Sequence, residues 1–466
     1  MLESAEKCGV AGVYLFDGSV PASRLLFNLL LALYHRGHDG AGISSYSYSR
    51  GVHTYKREGK VRDIFNEDRL NILAGHVAIG HTRYGTVGLE KPTEYLHPIR
   101  APGGRFRLAH NGTIAPFEYQ NLMNEFPDGQ RFDTQLLAML VEMSLRETGG
   151  EWVDALSLSS EKLDGSYTCV ALEKDRLIAF REPRGFKPLN VGELPEGYVV
   201  ASETVALKSI NARNITPVKP GEVIIIDHNG LRREQFAEPN PTPCSFEYMY
   251  FSDVGSVFDG VSCYDVRTKV GRILAHKHPV DADIVIAIPD SGRAGAEGFA
   301  KESGIPYSEG IRINREVGRI FILPSEQRDG AMRHKYLPIE AAVNGKRIVL
   351  VDDSIVRGHT TRVMTSILRE AGAQEIHVVS TFPEIRNPCI HGGVAFASLE
   401  ELAINRHNGR EGLRRYINAD SLIYPTVEDL QEAGIKAGCF ACVDGKYPLN
   451  HVPDFSRVKA LGYVTG

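Results

Sequence analysis

Apolar residues recur through the first half of the chain in short runs, at 10–16, 77–79, 168–172 and 223–226, parted by glycines and polar turns. Runs of that length bounded by turn residues predict strands. Two stretches switch to helical spacing, 23–33 and 133–145. Together they predict an α+β domain in which strands dominate. The segment Glu238-Pro239-Asn240-Pro241-Thr242-Pro243 reads as a linker, because proline ends both kinds of regular structure. Beyond it the rhythm changes. The runs 283–288, 347–351 and 376–379 are apolar without alternation, as strands buried on both faces are. Between the last two, Val363, Met364, Ile367, Leu368 and Ala371 form one helical stripe, and Gly372 follows as a stop. Strand, helix, strand at this spacing predicts a βαβ unit in a doubly wound α/β domain. There is no internal repeat and no low-complexity tract.

The chain has 466 residues, more than one ordinary domain holds. Its 42% hydrophobic and 24% charged residues are globular proportions and argue against long disorder. Lys plus Arg number 53 against 58 Asp plus Glu, a formal net charge of -5, which gives no electrostatic case for a nucleic-acid partner. No apolar run approaches the ~20 residues a bilayer demands, so no membrane partner is expected. Residues 1–7 are short and acidic, unlike a secretory signal, and a cytoplasmic location is expected. Seven cysteines, an odd number, argue against a disulfide framework in that compartment. Of Cys8, Cys169, Cys244, Cys263, Cys389, Cys439 and Cys442, only the last two form a close pair, and CxxC alone suits a metal, an iron–sulfur cluster or redox chemistry. Cys169 and Cys263 read as core residues.

Chemistry enters with Cys8-Gly9-Val10-Ala11-Gly12 and its companions: Tyr34-His35-Arg36-Gly37, Gly80-His81-Thr82-Arg83-Tyr84, Ala109-His110-Asn111-Gly112 and Phe132-Asp133-Thr134. This ordered set resembles the N-terminal-nucleophile (class II) glutamine amidotransferases. The resemblance implies that Cys8 is the mature first residue and attacks the amide. Its own α-amine, titrating near pH ~8, serves as base. Residues 1–7 are then a propeptide and 8–237 the glutaminase domain. By the same resemblance Arg83 grips the glutamine carboxylate, Asp133 its ammonium, and Asn111 with the Gly112 N–H forms the oxyanion hole.

After the linker, 238–243, the domain 244–466 carries a second signature. Asp352-Asp353-Ser354-Ile355-Val356-Arg357-Gly358-His359-Thr360-Thr361 ends a strand and opens a helix. Paired carboxylates at a strand end are costly unless they meet hydroxyls or cations, and the glycine and hydroxyls suit a phosphate at a helix N-terminus. The stretch resembles the diphosphate-sugar signature of the type I phosphoribosyltransferases. That implies Asp352 and Asp353 at the ribose hydroxyls and Mg2+, with Arg357, Gly358, Thr360 and Thr361 around the 5-phosphate. Ile288-Pro289-Asp290-Ser291-Gly292 resembles the pyrophosphate loop, with Asp290 binding substrate and Ser291 near the Mg2+. Arg319 is expected on a mobile loop that closes over the substrate.

The two halves together resemble the family that joins these domains and moves the amide nitrogen of glutamine onto 5-phosphoribosyl 1-diphosphate (PRPP). Glutamine, PRPP and water would give 5-phosphoribosylamine, glutamate and diphosphate, opening de novo purine synthesis. Purine nucleotides as inhibitors and a homotetramer or homodimer are implied as well. Cys244, Cys389, Cys439 and Cys442 match the ligands of a four-iron four-sulfur cluster in one branch of that family, although four thiolates also suit zinc. The chain departs from the family pattern at His38, Gly85, Lys187, 252–255, His359 and 392–394, and most of all at Ile313 and Glu316. There a Lys and a Tyr are expected beside an anionic substrate. A diverged amidotransferase with another phosphoribosyl acceptor, or a regulator that only binds PRPP or a nucleotide, are the alternatives.

Overall fold

The computed structural model describes residues 8–17, 20–84, 95–114, 133–314, 325–389 and 399–449. The propeptide 1–7, Gly85, Glu316, Arg319 and 392–394 lie outside them.

The first half folds into two antiparallel sheets laid face to face. One has seven strands, in the order Arg213–Pro217, Asn190–Leu194, Gly197–Ala201, Gly9–Leu15, Val77–Arg83, Gly40–Ser47 and Gly51–Glu58. The other has six, Gly230–Gln235, Glu222–Asp227, Arg176–Arg181, Gly165–Glu173, Arg107–Ile114 and Ile99–Arg100. Alternation splits each strand between two layers. Val10, Val77 and Ile79 meet Ala109, Val170 and Ile224 between the sheets. Ala11, Val13 and Ala78 face outward onto the helix Ala22–Ala32 through Leu26, Leu29 and Leu30. On the other side Leu108, Cys169 and Ala171 face the helices Asp133–Glu147 and Trp152–Ser160. The result is a helix–sheet–sheet–helix sandwich with three apolar layers.

All strands of these sheets precede residue 236, and those of the parallel sheet follow residue 283. Its order is Ile284–Ala287, Arg347–Asp352, Glu375–Ser380 and Ser421–Ile423, every pair parallel. Both faces are covered, as continuous apolar runs require. Val285, Val349, Val351 and Val379 pack towards Val266, Val270 and Phe299. Ile284, Ile286, Ile348 and Leu350 pack towards Val363, Met364, Ile367 and Leu368 of the helix His359–Glu370. Gly372, at φ +93°, follows the end of that helix.

The proline-rich segment does not run free. Asn240, Thr242 and Cys244 donate backbone N–H bonds to the carbonyls of Pro183, Arg184 and Phe186, and Cys439 N–H reaches Pro243 O at 2.8 Å. Prolines leave every second donor available, and those of Asn240 and Thr242 are used. Among the described residues no helix is long and apolar enough to cross a membrane.

Candidate active sites and the cysteine group

Cys8 stands at the entrance of the central strand Gly9–Leu15, 6% exposed. Val10 and Ser202 fix that strand end by N–H bonds of 2.9 Å to Ser202 Oγ and Val10 O. A Cβ on Gly9 would lie 2.7 Å from Thr82 Oγ1, so glycine lets the strand close up beside its neighbour. Arg83 ends that neighbour, 4% exposed, with its guanidinium over the Tyr95 ring. The turn after Arg36 presses on it: a Cβ at Gly37 would sit 2.4 Å from the Arg83 carbonyl carbon. Cys8, Arg83 and Gly112 line one narrow cavity with His81, His97, His110 and Thr134. Burial, then the Arg83 charge, pushes the His81 imidazole down to about 3, and burial lowers His97 and His110 too. The three histidines are therefore neutral.

Asn111 is fully buried on the strand Arg107–Ile114, and among the described residues neither its Oδ1 nor its Nδ2 has a hydrogen-bond partner. An amide left so costs about 1–3 kcal/mol per group unless a ligand meets it. Gly112 follows at φ +149°, where a Cβ would come 2.0 Å from Ser166 O. Asp133 opens the helix Asp133–Glu147 and accepts N–H bonds from Ile114 (3.2 Å) and Thr134 (2.7 Å).

The second expected site forms at the carboxyl ends of the parallel strands, where such sheets bind ligands. Asp352 and Asp353 are each 5% exposed. Burial, then the charge of Asp353, holds the Asp352 carboxyl well above the usual range. Ser354 Oγ donates to Asp353 at 2.7 Å. Gly358, at φ +72°, turns the chain into the helix His359–Glu370, with Thr360 and Thr361 in its first turn. Gly292 brings the Asp290–Ser291 turn against the same strand end, since a Cβ there would meet Val351 O at 2.4 Å. The phenol of Tyr336 feels Asp352, Asp290 and Asp353 together, so all four groups share one neighbourhood. Ile313 pairs with Tyr336 in a two-stranded ribbon, which sets that departure beside the carboxylates. The Arg357 guanidinium reaches Glu401 at 3.1 Å.

Cys244, Cys389, Cys439 and Cys442 come from three distant stretches woven together. The backbones of Cys244 and Cys439 meet in a parallel β-bridge, Ser245 Oγ donates to Cys439 O at 2.7 Å, and Arg386 and Asn387 donate N–H bonds to Cys442 O. Burial, then the neighbouring cysteines, raises the thiols of Cys439 and Cys442 well above their ordinary value, so a positive centre is needed to hold them as thiolates. The four thiols feel one another's charge, so they share one neighbourhood, and four thiolates are a donor set that suits a four-iron cluster and zinc alike.

The sequence reading missed a buried ionic network between the halves. Arg36 bonds Glu203 and Glu247, His35 Nε2 lies 2.7 Å from Glu203, and Lys187 Nζ lies 3.2 Å from Glu247. Burial raises the Glu247 carboxyl, but Arg36 and Lys187 outweigh it and hold it below the usual range. Lys187, a departure in sequence, thus has a fixed partner.

Residues 86–209 match the glutamine amidotransferase domain family. The amidophosphoribosyltransferase of Archaeoglobus fulgidus is 39% identical over 95% of this chain and 98% of its own length. That of Methanothermobacter thermautotrophicus is 39% identical over 98% of both. The solved glutamine PRPP amidotransferase of B. subtilis, complexed with ADP and GMP, superposes with a TM-score of 0.86 at 36% identity, over 96% of this chain and 98% of that one.

Proposed function

The chain belongs to the amidophosphoribosyltransferase family, and from that premise we propose which of its own residues carry the family's reaction. The enzyme is a glutamine-dependent pentosyltransferase of the first step of purine synthesis. Cys8 Sγ attacks the glutamine amide carbon, and the carbonyl oxygen gains charge between Asn111 Nδ2 and the Gly112 N–H. The C–N bond breaks and ammonia leaves. Water then cleaves the thioester and releases glutamate. A free Cys8 α-amine takes the thiol proton and returns it to the leaving nitrogen, which requires removal of residues 1–7. Arg83 and Asp133 hold the two charged ends. The observation that carries this reading is the Asn111 amide, buried and, among the described residues, unpartnered, next in sequence to Gly112 of Cys8's cavity.

In the second domain the ammonia displaces diphosphate from the ribose C1. Asp352 and Asp353 hold the ribose hydroxyls, Asp290 and Ser291 the diphosphate, and Gly358, Thr360 and Thr361 with the backbone of Arg357 the 5-phosphate. Mg2+ fits here, because it keeps several waters and takes one or two carboxylates plus substrate phosphates. It supplies charge neutralisation to the departing diphosphate. Arg319 closes over the substrate. The four-iron cluster at Cys244, Cys389, Cys439 and Cys442 is structural. Purine nucleotides bind as inhibitors, the location is cytoplasmic and the assembly is a homo-oligomer.

Steady-state turnover of glutamine with PRPP and Mg2+ tests the reading. The purified chain should start at Cys8 by mass, carry about four irons and four sulfides, and make phosphoribosylamine. Zinc at one per chain would overturn the cluster, and full activity of a chain still beginning at Met1 would overturn the role of the amine.

A further inference from the structure

His110 lies at the back of the Cys8 cavity, beneath Gly112: a Cβ on that glycine would come within 2.9 Å of its Nε2. Nε2 is 3.2 Å from Ser166 O. A carbonyl only accepts, so Nε2 carries the ring hydrogen and Nδ1 is bare. Nδ1 is 3.0 Å from Thr134 Oγ1, and the hydroxyl hydrogen is the one that can fill that contact. Burial keeps the ring neutral, which preserves this tautomer.

Thr134 Oγ1 also stands 3.3 Å from Asp133 Oδ1, but a hydroxyl has a single hydrogen to give. Committed to His110, it cannot occupy the carboxylate. Asp133 then receives Thr134 N–H on Oδ1 and Ile114 N–H on Oδ2. Each oxygen accepts about two bonds, so each retains one acceptor direction. Were the hydroxyl to turn to Asp133, it would consume the direction an ammonium needs.

From this geometry we infer that His110 is a positioning residue: by taking the Thr134 hydroxyl hydrogen it keeps an acceptor direction of Asp133 open, and so sets specificity for the α-ammonium of glutamine. The inference rests on the proposed role of Asp133 as the ammonium ligand.

The full-length enzyme is assayed for ammonia release with glutamine and with 4-carbamoylbutanoate, which is glutamine without its amino group. His110→Phe removes the Nδ1 acceptor and lets the Thr134 hydroxyl turn onto Asp133. KM for glutamine should rise about tenfold, an ordinary size for one charge-assisted contact. KM for the deaminated analogue should not move. Thr134→Val has no hydroxyl to turn, so alone it should keep the preference for glutamine, and added to His110→Phe it should restore it. Should His110→Phe fail to fold, His110→Leu with and without Thr134→Val makes the same comparison. A parallel loss on both substrates that Thr134→Val does not undo would mean a merely structural ring and overturn the inference, as would wild-type values. Asp133→Asn separates the two levels. If it erases the preference for glutamine while His110→Phe does not, the positioning role alone falls. If Asp133→Asn keeps the preference, the assignment of Asp133 falls, and the inference with it.

Discussion

The buried amide of Asn111 fixes what a single atom contributes. Asn111→Ala removes Nδ2 from the developing oxyanion and leaves the Gly112 N–H alone. The glutaminase kcat should fall about 10²–10³-fold with little change in KM, as loss of one such donor does elsewhere. A large KM effect with kcat preserved would instead make Asn111 a ground-state contact. Glu182 gives a second test at this scale. It is 1% exposed, and Oε1 accepts the Phe186 N–H at 2.5 Å. Burial, against the pull of Arg181, pushes its carboxyl up to about 8. Between pH ~4.5 and ~8 the folded chain therefore holds a proton that the unfolded chain has lost. Stability should drop through that window as pH rises, at up to about 1.4 kcal/mol per pH unit. Glu182→Gln, always neutral, should flatten that part of the profile in denaturant titrations; an unchanged slope would show that Glu182 is ionised when folded. Cys8, Arg83, Asn111, Gly112 and Asp133 were singled out because each sits in a short local pattern whose residue types have few other uses, and the structure brings Cys8, Arg83 and Gly112 to one cavity. Arg36, Lys187, Glu203 and Glu247 were not. Arg36 and Glu247 are 211 residues apart, and an ion pair leaves no periodic trace in either strand or helix.

At the scale of elements, the strands 347–351 and 376–379 were readable because burial on both faces forces unbroken apolar runs. The strand Arg107–Ile114 was not singled out. Its sequence alternates towards the active site and carries His110, Asn111 and Thr113 where a core strand would carry apolar residues. Function, not packing, wrote that strand. The helix Trp152–Ser160 was missed for a different reason: four buried positions in nine residues make too short a stripe. The close approach of the Asp290–Ser291 turn to the strand Arg347–Asp352 supplies the prediction here. Gly292→Ala puts a methyl 2.4 Å from Val351 O, a backbone atom that cannot turn aside. The turn must lift, and displacement of about 1 Å in a reacting site costs roughly a hundredfold. Phosphoribosylamine synthesis should fall by that order while PRPP-independent glutamine hydrolysis persists. Equal loss of both would mean that the substitution unfolds the domain.

Over the whole molecule, the two domains are joined by charge as well as by covalent chain. Glu247 lies in the second half, and it neutralises Arg36 and Lys187 of the first in a region without water access. Removing one member strands the others, so Glu247→Ala should destabilise the chain by about 3–5 kcal/mol. Chemical denaturation would measure this, and a change below about 1 kcal/mol would show that solvent reaches the pair. Arg181 adds a bidentate bond of 2.8 Å and 2.8 Å to Asp259 along the same seam.

The linker segment has a consequence in time. Its seat is built partly by Cys439, whose carbonyl receives Ser245 Oγ from 194 residues earlier in the chain. A ribosome adds about 5–20 residues per second, so that partner appears roughly 10–40 s after Ser245 has been made. Until then the sandwich has all its strands, yet nothing from the far end clasps the hinge behind it. The nascent chain thus passes through an interval in which a finished sandwich holds the linker from its own side alone. Any group held by all four cysteines must wait for synthesis of nearly the whole polypeptide, since Cys442 stands near its end.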